Sequence, residues 1–392
     1  MSPPTNSGDV REPGPLMAVR VLDLSRFLAG PACGALLADM GADVIRIDRR
    51  GGSEDRSLMA EREGLDGAAF IVNNRNKRSI ELDLKSDADR ATFLGLVSVS
   101  DVVLANMPVS GLERLGIGFD VLQARRADII LACITAFGSK GPLADRTGFD
   151  GVAQAMSGAV ALTGGPDSPT RSQVTYVDYS TAYAMAFAIA AALYDRTISG
   201  KGRLIEASLM STALSMTNAT LIEDLRNGHD RQRTGNRSTV AGPSDIYGTT
   251  DGHIVVQVVG NPIFARWAKL VGRLDMIAQP DFANDPGRGR NGATLSSIMA
   301  EWAAKRTSAE ALRELEEARI PAGPVQSLHQ MWNSAEMAGC GYFSVVDDEE
   351  RGSYPLVGSP VSISGFDLAP RSPAPASGQQ EAAIRALLET TK

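Results

Sequence analysis

Short apolar runs alternate with helical stretches through the first half of the chain. The segments AVRVLDL, GPACGALLADMG and ADVIRID, which begin at residue 18, predict a strand, a helix and a second strand. Pro31 suits the first turn of this helix and Gly41 suits its end, so the three segments predict a βαβ unit. Further strands are predicted at residues 79–84, 101–105, 129–134 and 203–207. This order predicts an α/β protein with a doubly wound parallel sheet.

The apolar pattern changes after residue 225. Residues 226–245 are polar and contain charges, glycine and proline without an apolar period, which predicts a crossing between domains. Beyond them, IYGTTDGHIVVQVV predicts a β-hairpin with Asp251 and Gly252 in its turn, and helices are predicted at residues 264–272, 294–305 and 308–318. We therefore predict a large domain over residues 16–225, a smaller α+β domain over residues 246–330, and a last segment, 331–392, that ends in a short helix.

Composition and charge disfavour several classes of function. The 392 residues contain 39 lysines and arginines and 46 aspartates and glutamates, and the resulting net charge of −7 disfavours a nucleic-acid or anionic-membrane partner. The longest apolar run, Ala182–Tyr194, is too short to cross a bilayer core about 30 Å thick, so we expect no membrane span. The first 15 residues are polar and lack the apolar core of a signal peptide, and cysteine is scarce, so we expect a cytoplasmic protein.

Cysteine and histidine are too few and too scattered to indicate a metal site, a disulfide framework or serine–histidine catalysis. These residues are Cys33, Cys133, Cys340, His229, His253 and His329. A GxGxxG motif occurs at Gly287, Gly289 and Gly292, but it follows Asp285-Pro286 and no strand. Without a preceding strand, the motif does not indicate a dinucleotide site.

Basic residues cluster between the second predicted strand and the third. They are Arg46, Arg49, Arg50, Arg56, Arg75, Lys77 and Arg78. Ligands bind at strand ends in doubly wound sheets, and guanidinium groups pair well with phosphate oxygens, so one interpretation is a phosphate site. The other is a solvated face in which these side chains pair with neighbouring acids. Those acids are Asp48, Glu54, Asp55, Glu61 and Glu63.

Asp178 is the one acidic residue in VTYVDYSTAYAMAFAIAAAL, where an apolar helix begins over residues 179–194 after the turn-rich segment TGGPDSPT. A helix N-terminus stabilises a carboxylate, so we expect Asp178 to be ionised. It either caps the helix, which is worth about 1 kcal/mol, or attacks an activated acyl group as a nucleophile. The preceding turn either supplies backbone N–H groups of Gly164 and Gly165 to an oxyanion or is a plain loop.

Six segments spread over most of the chain are motifs of one enzyme family and occur in the family's order. They are VRVLDLSRFLAGPACGALLADMGADVIRID, NKRSIELDL, SDVVLANM, GLERLGIGFD, ISGKGRLIEASL and IPAGPV. Together they resemble the class III CoA-transferases, a family that includes formyl-CoA:oxalate CoA-transferase and α-methylacyl-CoA racemase. The resemblance implies a large Rossmann-like domain built from both chain ends, which residues 331–392 join, with the small domain between. It also implies an interlocked homodimer.

The resemblance further implies an enzyme that moves CoA from a donor acyl-CoA to an acceptor carboxylic acid. Coenzyme A is then a substrate, and no metal or tightly bound cofactor is needed. Asp178 matches the family's nucleophilic aspartate, which forms a mixed anhydride and then an aspartyl-CoA thioester. The positions that match the family's CoA site are Arg49, Asn106, Met107 and Arg114, with Lys77 and Arg78 nearby.

Departures from the family narrow the expected reaction. Phe149 stands where racemases of the family have a histidine, so α-proton exchange would lack a base on one face. Leu28 stands where oxalate-using members have a glutamine, and their run of glycines has no counterpart after Val240, so oxalate is not the expected acceptor. The alternative enzyme is a 2-methylacyl-CoA racemase or a related isomerase or dehydratase-like activity. From another class, the alternative is a non-catalytic acyl-CoA-binding protein.

Overall fold

A computed structural model describes residues 14–60, 65–144, 146–228 and 231–389. Residues 1–13, Glu61, Glu63 and His229, which enter the sequence analysis, lie outside these ranges. The strands are β1 (Arg20–Asp23), β2 (Asp43–Asp48), β3 (Arg78–Glu81), β4 (Val102–Ala105), β5 (Ile130–Thr135), β6 (Gly164–Gly165), β7 (Ser168–Pro169), β8 (Leu204–Ser208), β9 (Ser244–Gly248), β10 (His253–Gln257), β11 (Ala322–Pro324), β12 (Phe343–Asp348) and β13 (Gly352–Val357).

The helices include those predicted over residues 179–194, 264–272, 294–305 and 308–318, together with others that connect the strands. They are α1 (Ala29–Asp39), α2 (Ala68–Asn74), α3 (Asp87–Ser98), α4 (Val109–Arg114), α5 (Phe119–Arg125), α6 (Asp150–Met156), α7 (Ala159–Leu162), α8 (Tyr176–Ser199), α9 (Leu209–Asn227), α10 (Asn261–Leu270), α11 (Asp285–Arg290), α12 (Gly292–Ala303), α13 (Ser308–Glu317), α14 (Leu328–Trp332), α15 (Ala335–Gly339) and α16 (Glu381–Ala386). Residues 148–160 form two short helices, α6 and α7, and not one continuous helix, because Gly158 between them adopts a left-handed conformation with φ of 89°.

Six strands form the predicted parallel sheet, in the order β3-β2-β1-β4-β5-β8. Leu22 of β1 is in register with Ile45 of β2 on one side and with Val103 of β4 on the other. The prediction of an α/β protein with a doubly wound parallel sheet is therefore confirmed. The strand order reverses between β1 and β4, and ligands bind outside the carboxyl ends of the strands at such a point.

Each face of the sheet is covered by a helical layer, because alternate residues of the buried strands point to opposite faces. On one face, Val21, Val44, Val102 and Ile130 pack with buried residues of α1 and α8. On the other, Leu22, Ile45, Val103 and Leu131 pack with buried residues of α3, α5 and α16. Both layers bury apolar side chains almost completely, which makes the carboxyl edge of the sheet a rigid platform.

The chain divides into two compact units. Among the described residues, the first unit takes in the chain as far as Ser157, Ser172–Leu221 and the chain from Gly341 onward, and the second takes in Gly158–Arg171 and Ile222–Cys340. In the second unit β9, β10 and β11 form an antiparallel sheet over a core that includes Trp267. The predicted hairpin joins β9 to β10, and the three predicted helices are α10, α12 and α13.

Glycines of the GxGxxG motif are explained by packing within the second unit. A Cβ atom on Gly287 would lie 2.5 Å from the carbonyl oxygen of Asp281, and one on Gly289 would lie 2.2 Å from that of Thr239. Both distances are far shorter than a van der Waals contact, so these positions require glycine whether or not a ligand binds.

A buried ionic cluster lies at the carboxyl end of β2. The carboxylate of Asp48 accepts hydrogen bonds from Arg46 Nε at 2.9 Å, Arg56 Nη2 at 2.6 Å, Ser53 Oγ at 2.9 Å and Ser79 Oγ at 2.8 Å. Burial by itself would raise the pKa of Asp48, but the charges of Arg46 and Arg56 and these hydrogen bonds outweigh it and hold the pKa well below its usual range.

We expect Asp48→Ala to lower the free energy of unfolding by about 3–5 kcal/mol at pH 7, because it leaves the buried Nε of Arg46 without its acceptor and removes one of the two carboxylates that pair with this guanidinium. The loss should shrink as the pH falls below about 4, because the stabilisation that comes with a depressed carboxyl pKa is fully present only above the pKa of the unfolded chain and disappears as the pH falls towards the pKa of the folded state. Urea denaturation measures both effects. Asp87→Ala, which removes an exposed partner of Arg90, is the control and should change stability by less than about 0.5 kcal/mol. Equal effects of the two substitutions would contradict the account.

Candidate active site

A cavity of about 510 Å³ opens at the carboxyl ends of β1 to β4, where the strand order reverses. Its lining combines cationic side chains with an apolar floor. The cationic residues are Arg26, Arg49, Arg50 and Lys85, the apolar ones are Leu24, Ile47, Leu82, Leu84, Met107 and Leu115, and Asp83 is also present. Guanidinium and ammonium groups suit phosphate, and the apolar surface suits a flat ring system.

Arg49 is the sequence-predicted cation that is freest to bind a ligand at this cavity. Its side chain is 67% exposed and pairs with Glu54 at 3.1 Å. Such an exposed pair is worth little, so exchanging Glu54 for a phosphate costs little. Arg50 instead donates two hydrogen bonds to the buried carboxylate of Asp89, at 3.0 and 2.8 Å.

Asn106, Met107 and Arg114 also lie at or beside the cavity, but in different roles. Met107 lines it. Arg114 lies close by, since a Cβ atom built on Gly111 would be 3.8 Å both from Arg114 Nη2 and from Met107 Sδ. The amide of Asn106 is already engaged, because it accepts from Arg26 N at 2.9 Å and donates to Arg26 O at 2.6 Å. Asn106 therefore holds the loop that carries Arg26.

Lys77 and Arg78 are not brought to the cavity. The ammonium group of Lys77 is buried and donates to Asp23 at 2.7 Å, to Pro31 O at 2.8 Å and to Asn74 at 3.0 Å, so all three of its protons are used. Arg78 is the first residue of β3 and pairs with Asp43 at the amino end of β2, which is the opposite edge of the sheet. The cavity lining also lacks Arg46, Arg56 and Arg75. Each of these guanidinium groups pairs with a buried aspartate.

Arg26 is a cavity residue that the sequence analysis missed. Its guanidinium donates to the carbonyl oxygens of Leu24 and Ile47, so it ties together the ends of β1 and β2. Burial, followed by the nearby charge of Arg46, lowers the pKa of Arg26. Its position in the loop after the first strand of a doubly wound sheet was the available signal.

The first turn of α8 carries Asp178. The helix begins at Tyr176 with Thr175 as its N-cap, so Asp178 is the third helical residue and not the cap. The residue is nearly buried, with 9% exposed, and no described residue donates a hydrogen bond to its carboxylate. The capping interpretation is therefore not supported by the geometry.

Asp150, at the start of α6, supplies the carboxylate that caps α8. One of its oxygens accepts from the backbone N–H groups of Val177 at 2.8 Å and Asp178 at 3.1 Å. Burial first, and then the charge of Asp150, raise the pKa of Asp178 to about 7 from an ordinary value of 3.8. This direction is opposite to the sequence-based expectation that the helix N-terminus keeps Asp178 ionised.

One ring of an aromatic pair, Phe149 with Phe27, is adjacent to Asp150 in the chain. Phe149 directly precedes Asp150, is 58% exposed, and meets Phe27 edge to face with the ring centroids 5.7 Å apart. Phe27 has a left-handed backbone with φ of 67°, which is strained for a bulky residue, and its N–H donates to Asp55 at 3.0 Å. Asp55 in turn accepts from Arg46 at 2.7 Å. The buried ionic cluster thus holds Phe27 in its strained position.

Gly164 and Gly165 lie in a short hairpin of the second unit. Arg233 donates to the carbonyl oxygens of Gly165 at 3.0 Å, Ala161 at 3.2 Å and Pro166 at 2.9 Å. Gly164 has φ of 107°, and a Cβ atom there would lie 2.2 Å from Ser168 O, whereas the space around Gly165 is open. Hydrogen bonds from Arg233 therefore hold the hairpin through its carbonyl oxygens, and the space next to the Cα atom of Gly165 is unoccupied.

Within the described ranges, no group of three or more histidine, cysteine, aspartate or glutamate side chains is arranged to bind a metal. Among the same residues, no helix is both long enough and apolar enough to cross a membrane.

Comparison with known proteins gives one family. The family model for CoA-transferase family III matches residues 16–381. Among curated proteins, the succinyl-CoA–D-citramalate CoA-transferase of Chloroflexus aurantiacus is 35% identical over 82% of this chain and 81% of its own length. The succinate–glutarate CoA-transferase of Agrobacterium fabrum is 31% identical over 96% of each chain.

Solved structures agree with the sequence comparisons. A CaiB/BaiF family protein from Brucella suis superposes with a TM-score of 0.83, at 30% identity, over 96% of this chain and all of that one. Rv3272 from Mycobacterium tuberculosis has a TM-score of 0.83 at 27% identity, over 95% of this chain and 99% of that one. With the matching fold, the resemblance seen in the sequence is confirmed, and the chain belongs to CoA-transferase family III and is a CoA-transferase.

Proposed function

We propose that this CoA-transferase works through covalent intermediates on Asp178. The carboxylate attacks the carbonyl carbon of the donor acyl-CoA, and CoA leaves as thiolate, which gives a mixed anhydride. The thiolate then attacks the aspartyl carbonyl, releases the donor acid, and forms an aspartyl-CoA thioester. The acceptor carboxylate then attacks the carbonyl carbon of this thioester, which expels the CoA thiolate and gives a second mixed anhydride. The thiolate attacks the acceptor's carbonyl carbon in that anhydride, so the acceptor leaves as its CoA thioester and the Asp178 carboxylate is free again.

The observation that carries this proposal is the buried carboxyl of Asp178, which receives no hydrogen bond from any described residue. Its pKa of about 7 makes it a stronger base than an ordinary aspartate while leaving a large ionised fraction near neutral pH. The N–H groups of Gly164 and Gly165 are the proposed donors to the oxyanion.

Phe149 separates this reaction from racemisation. A phenyl ring neither takes nor gives a proton, so the site lacks a base at the position where a racemase of the family has one. For the acids exchanged, the relatives named above act on succinyl-CoA, succinate, glutarate and D-citramalate. We therefore propose succinyl-CoA as donor and dicarboxylic acids as the acceptors to test first.

We propose that the cavity at the carboxyl ends of β1 to β4 binds the nucleotide end of CoA. Arg49 and Arg114 are the proposed phosphate partners, because Arg49 pairs only with the exposed Glu54 and Arg114 is itself exposed. The apolar floor, which includes Ile47 and Met107, is the proposed surface for the adenine.

We also propose a homodimer, which exposed apolar side chains support. On α8, Tyr183, Phe187, Tyr194 and Ile198 are between 47% and 77% exposed and recur at spacings of four and seven residues. That spacing places them along one side of the helix. An exposed apolar stripe of this kind is typical of a protein interface. The interlocking of the two subunits is implied by the family resemblance.

Asp178→Asn should lower turnover by several orders of magnitude, because an amide cannot form the anhydride. Folding should not suffer, since the amide also avoids the cost of burying an anion, so the melting temperature at pH 8 should be no lower than that of the wild type. Steady-state kinetics with succinyl-CoA and glutarate, together with thermal melts, measure both. Asp195→Asn, on the same helix but paired with Arg203 at the surface, is the control. If Asp178→Asn keeps more than about a tenth of the wild-type activity, the activation free energy has risen by less than about 1.4 kcal/mol, and the mechanism is contradicted.

Arg49→Ala should raise the KM for the acyl-CoA about ten- to a hundredfold, because it removes a charged hydrogen bond to phosphate. The KM for the acceptor acid should change much less. Arg78→Ala is the matched control, since it removes a guanidinium at the opposite edge of the sheet and should leave the KM for acyl-CoA as it is. If both variants raise this KM equally, the cavity is not the CoA site.

Phe187→Glu should yield a species of one chain mass in sedimentation velocity, with loss of activity, because a charge cannot be buried in an apolar interface without a partner. Val121→Glu is the control, since it puts the same charge on an exposed apolar position of α5, on the opposite side of the sheet. A Phe187→Glu protein with unchanged mass and activity would place the interface elsewhere.

A further inference from the structure

The backbone N–H groups at the start of α8 all have partners. Tyr176 N donates to Val174 O at 2.9 Å, and Tyr179 N donates to Thr175 O at 3.3 Å. Between them, Val177 N and Asp178 N donate to a single oxygen of Asp150, at 2.8 and 3.1 Å. No N–H of this turn is left for the carboxylate of Asp178, although such donors are what makes a helix N-terminus favour an anion.

We propose that Asp150 is a positioning residue for the nucleophile: its carboxylate occupies the N–H donors at the start of α8 and places a negative charge beside Asp178, and so strengthens Asp178 as a nucleophile. This rests on the proposed role of Asp178 as nucleophile. Asp150 does not itself react with the substrate.

The Asp150 carboxylate is built into the fold. It is 3% exposed, and its second oxygen accepts from Gln154 Nε2 at 2.5 Å. The amide oxygen of Gln154 accepts in turn from Ser172 N at 3.0 Å, which ties α6 to the chain just before α8. No described lysine, arginine or histidine forms an ion pair with Asp150. Its charge is therefore held by hydrogen bonds alone and acts on Asp178 without a neutralising cation.

Asp150 is the only described charged group that bears on Asp178. The elements packed against α8 are α1, α6, β5 and β8. Besides Asp150 they carry the titratable residues Cys33, Asp39, Cys133 and Glu206, and none of these contributes to the raised pKa of Asp178. On α8 itself Tyr176 and Tyr179 flank Asp178 in the chain, and the pKa of Tyr176 is raised by burial and then by the charge of Asp150.

A stronger base is a stronger nucleophile, and this gives the arrangement its chemical purpose. A carboxylate stabilised by two or three N–H donors is a weak base and attacks a thioester poorly. With those donors given to Asp150, Asp178 titrates near neutral pH, where the product of ionised fraction and basicity is large. The free enzyme should accordingly show a rising limb of kcat/KM for acyl-CoA with a midpoint near pH 7.

The test titrates Asp178 directly. Full-length protein labelled with ¹³C at the aspartate side-chain carboxyl carbon is followed by NMR from pH 4 to pH 9, and Asp178→Asn assigns the signal. Asp150→Asn keeps an oxygen for the N–H groups of Val177 and Asp178 but removes the charge, so the midpoint should fall by about one pH unit or more. The rising limb of kcat/KM should move by the same amount. Gln154→Leu is the matched control, because it removes the hydrogen bond to Asp150 but keeps the charge, and it should leave the midpoint in place.

An unchanged Asp178 midpoint in a folded Asp150→Asn protein, verified by its thermal melt, would overturn the proposal, and so would an equal shift in Gln154→Leu. The NMR midpoint is read whether or not Asp178 reacts. If Asp178→Asn remains active while the NMR midpoint shifts as expected, the proposed nucleophile fails and the coupling between the two carboxyl groups stands.

Discussion

Two backbone N–H groups at the start of α8 donate to one carboxylate oxygen of Asp150, and these contacts join residues 27 and 28 positions apart in the chain. The contacts fix the direction in which α8 leaves its first turn and therefore where Asp178 lies. They also place two carboxyl groups together in a buried setting without a cation from the described residues. Burial and the charge of Asp150 disfavour the ionised form of Asp178 and so raise its pKa, a shift that suits a nucleophile.

Buried ion pairs fix the loop after β1 in the first unit. Arg46 bridges Asp48 and Asp55, and Asp55 accepts the N–H of Phe27 in its strained left-handed conformation. Asn106 holds the adjoining residue, Arg26, through both its backbone N–H and its carbonyl. The loop after β1 is thereby fixed between the cavity and the aromatic pair, so buried charges that do not line the cavity still determine the geometry of residues that do.

The sequence predicted the fold well because buried parallel strands are apolar along their whole length and their helices carry recognisable ends. Two of the cavity residues were also predicted: Arg49 belongs to the basic cluster at the strand ends and matches a family position, whereas Met107 was indicated by the family resemblance alone. Lys77 was not separable from a ligand-binding cation, because its partner Asp23 lies 54 residues away in the chain. Asp150 was missed for the same reason, since helix-capping motifs are recognised only within one helix.

The covalent role of Asp178 is tested most directly by trapping the intermediate. Wild-type protein is incubated with succinyl-CoA in the absence of an acceptor, treated with hydroxylamine, digested and analysed by mass spectrometry. The account predicts a hydroxamate on the Asp178 side chain, because hydroxylamine attacks an aspartyl thioester or anhydride at its carbonyl carbon and displaces the thiolate or carboxylate. A hydroxamate on another carboxyl group, or an unmodified Asp178 peptide in protein that turns over normally, would contradict it.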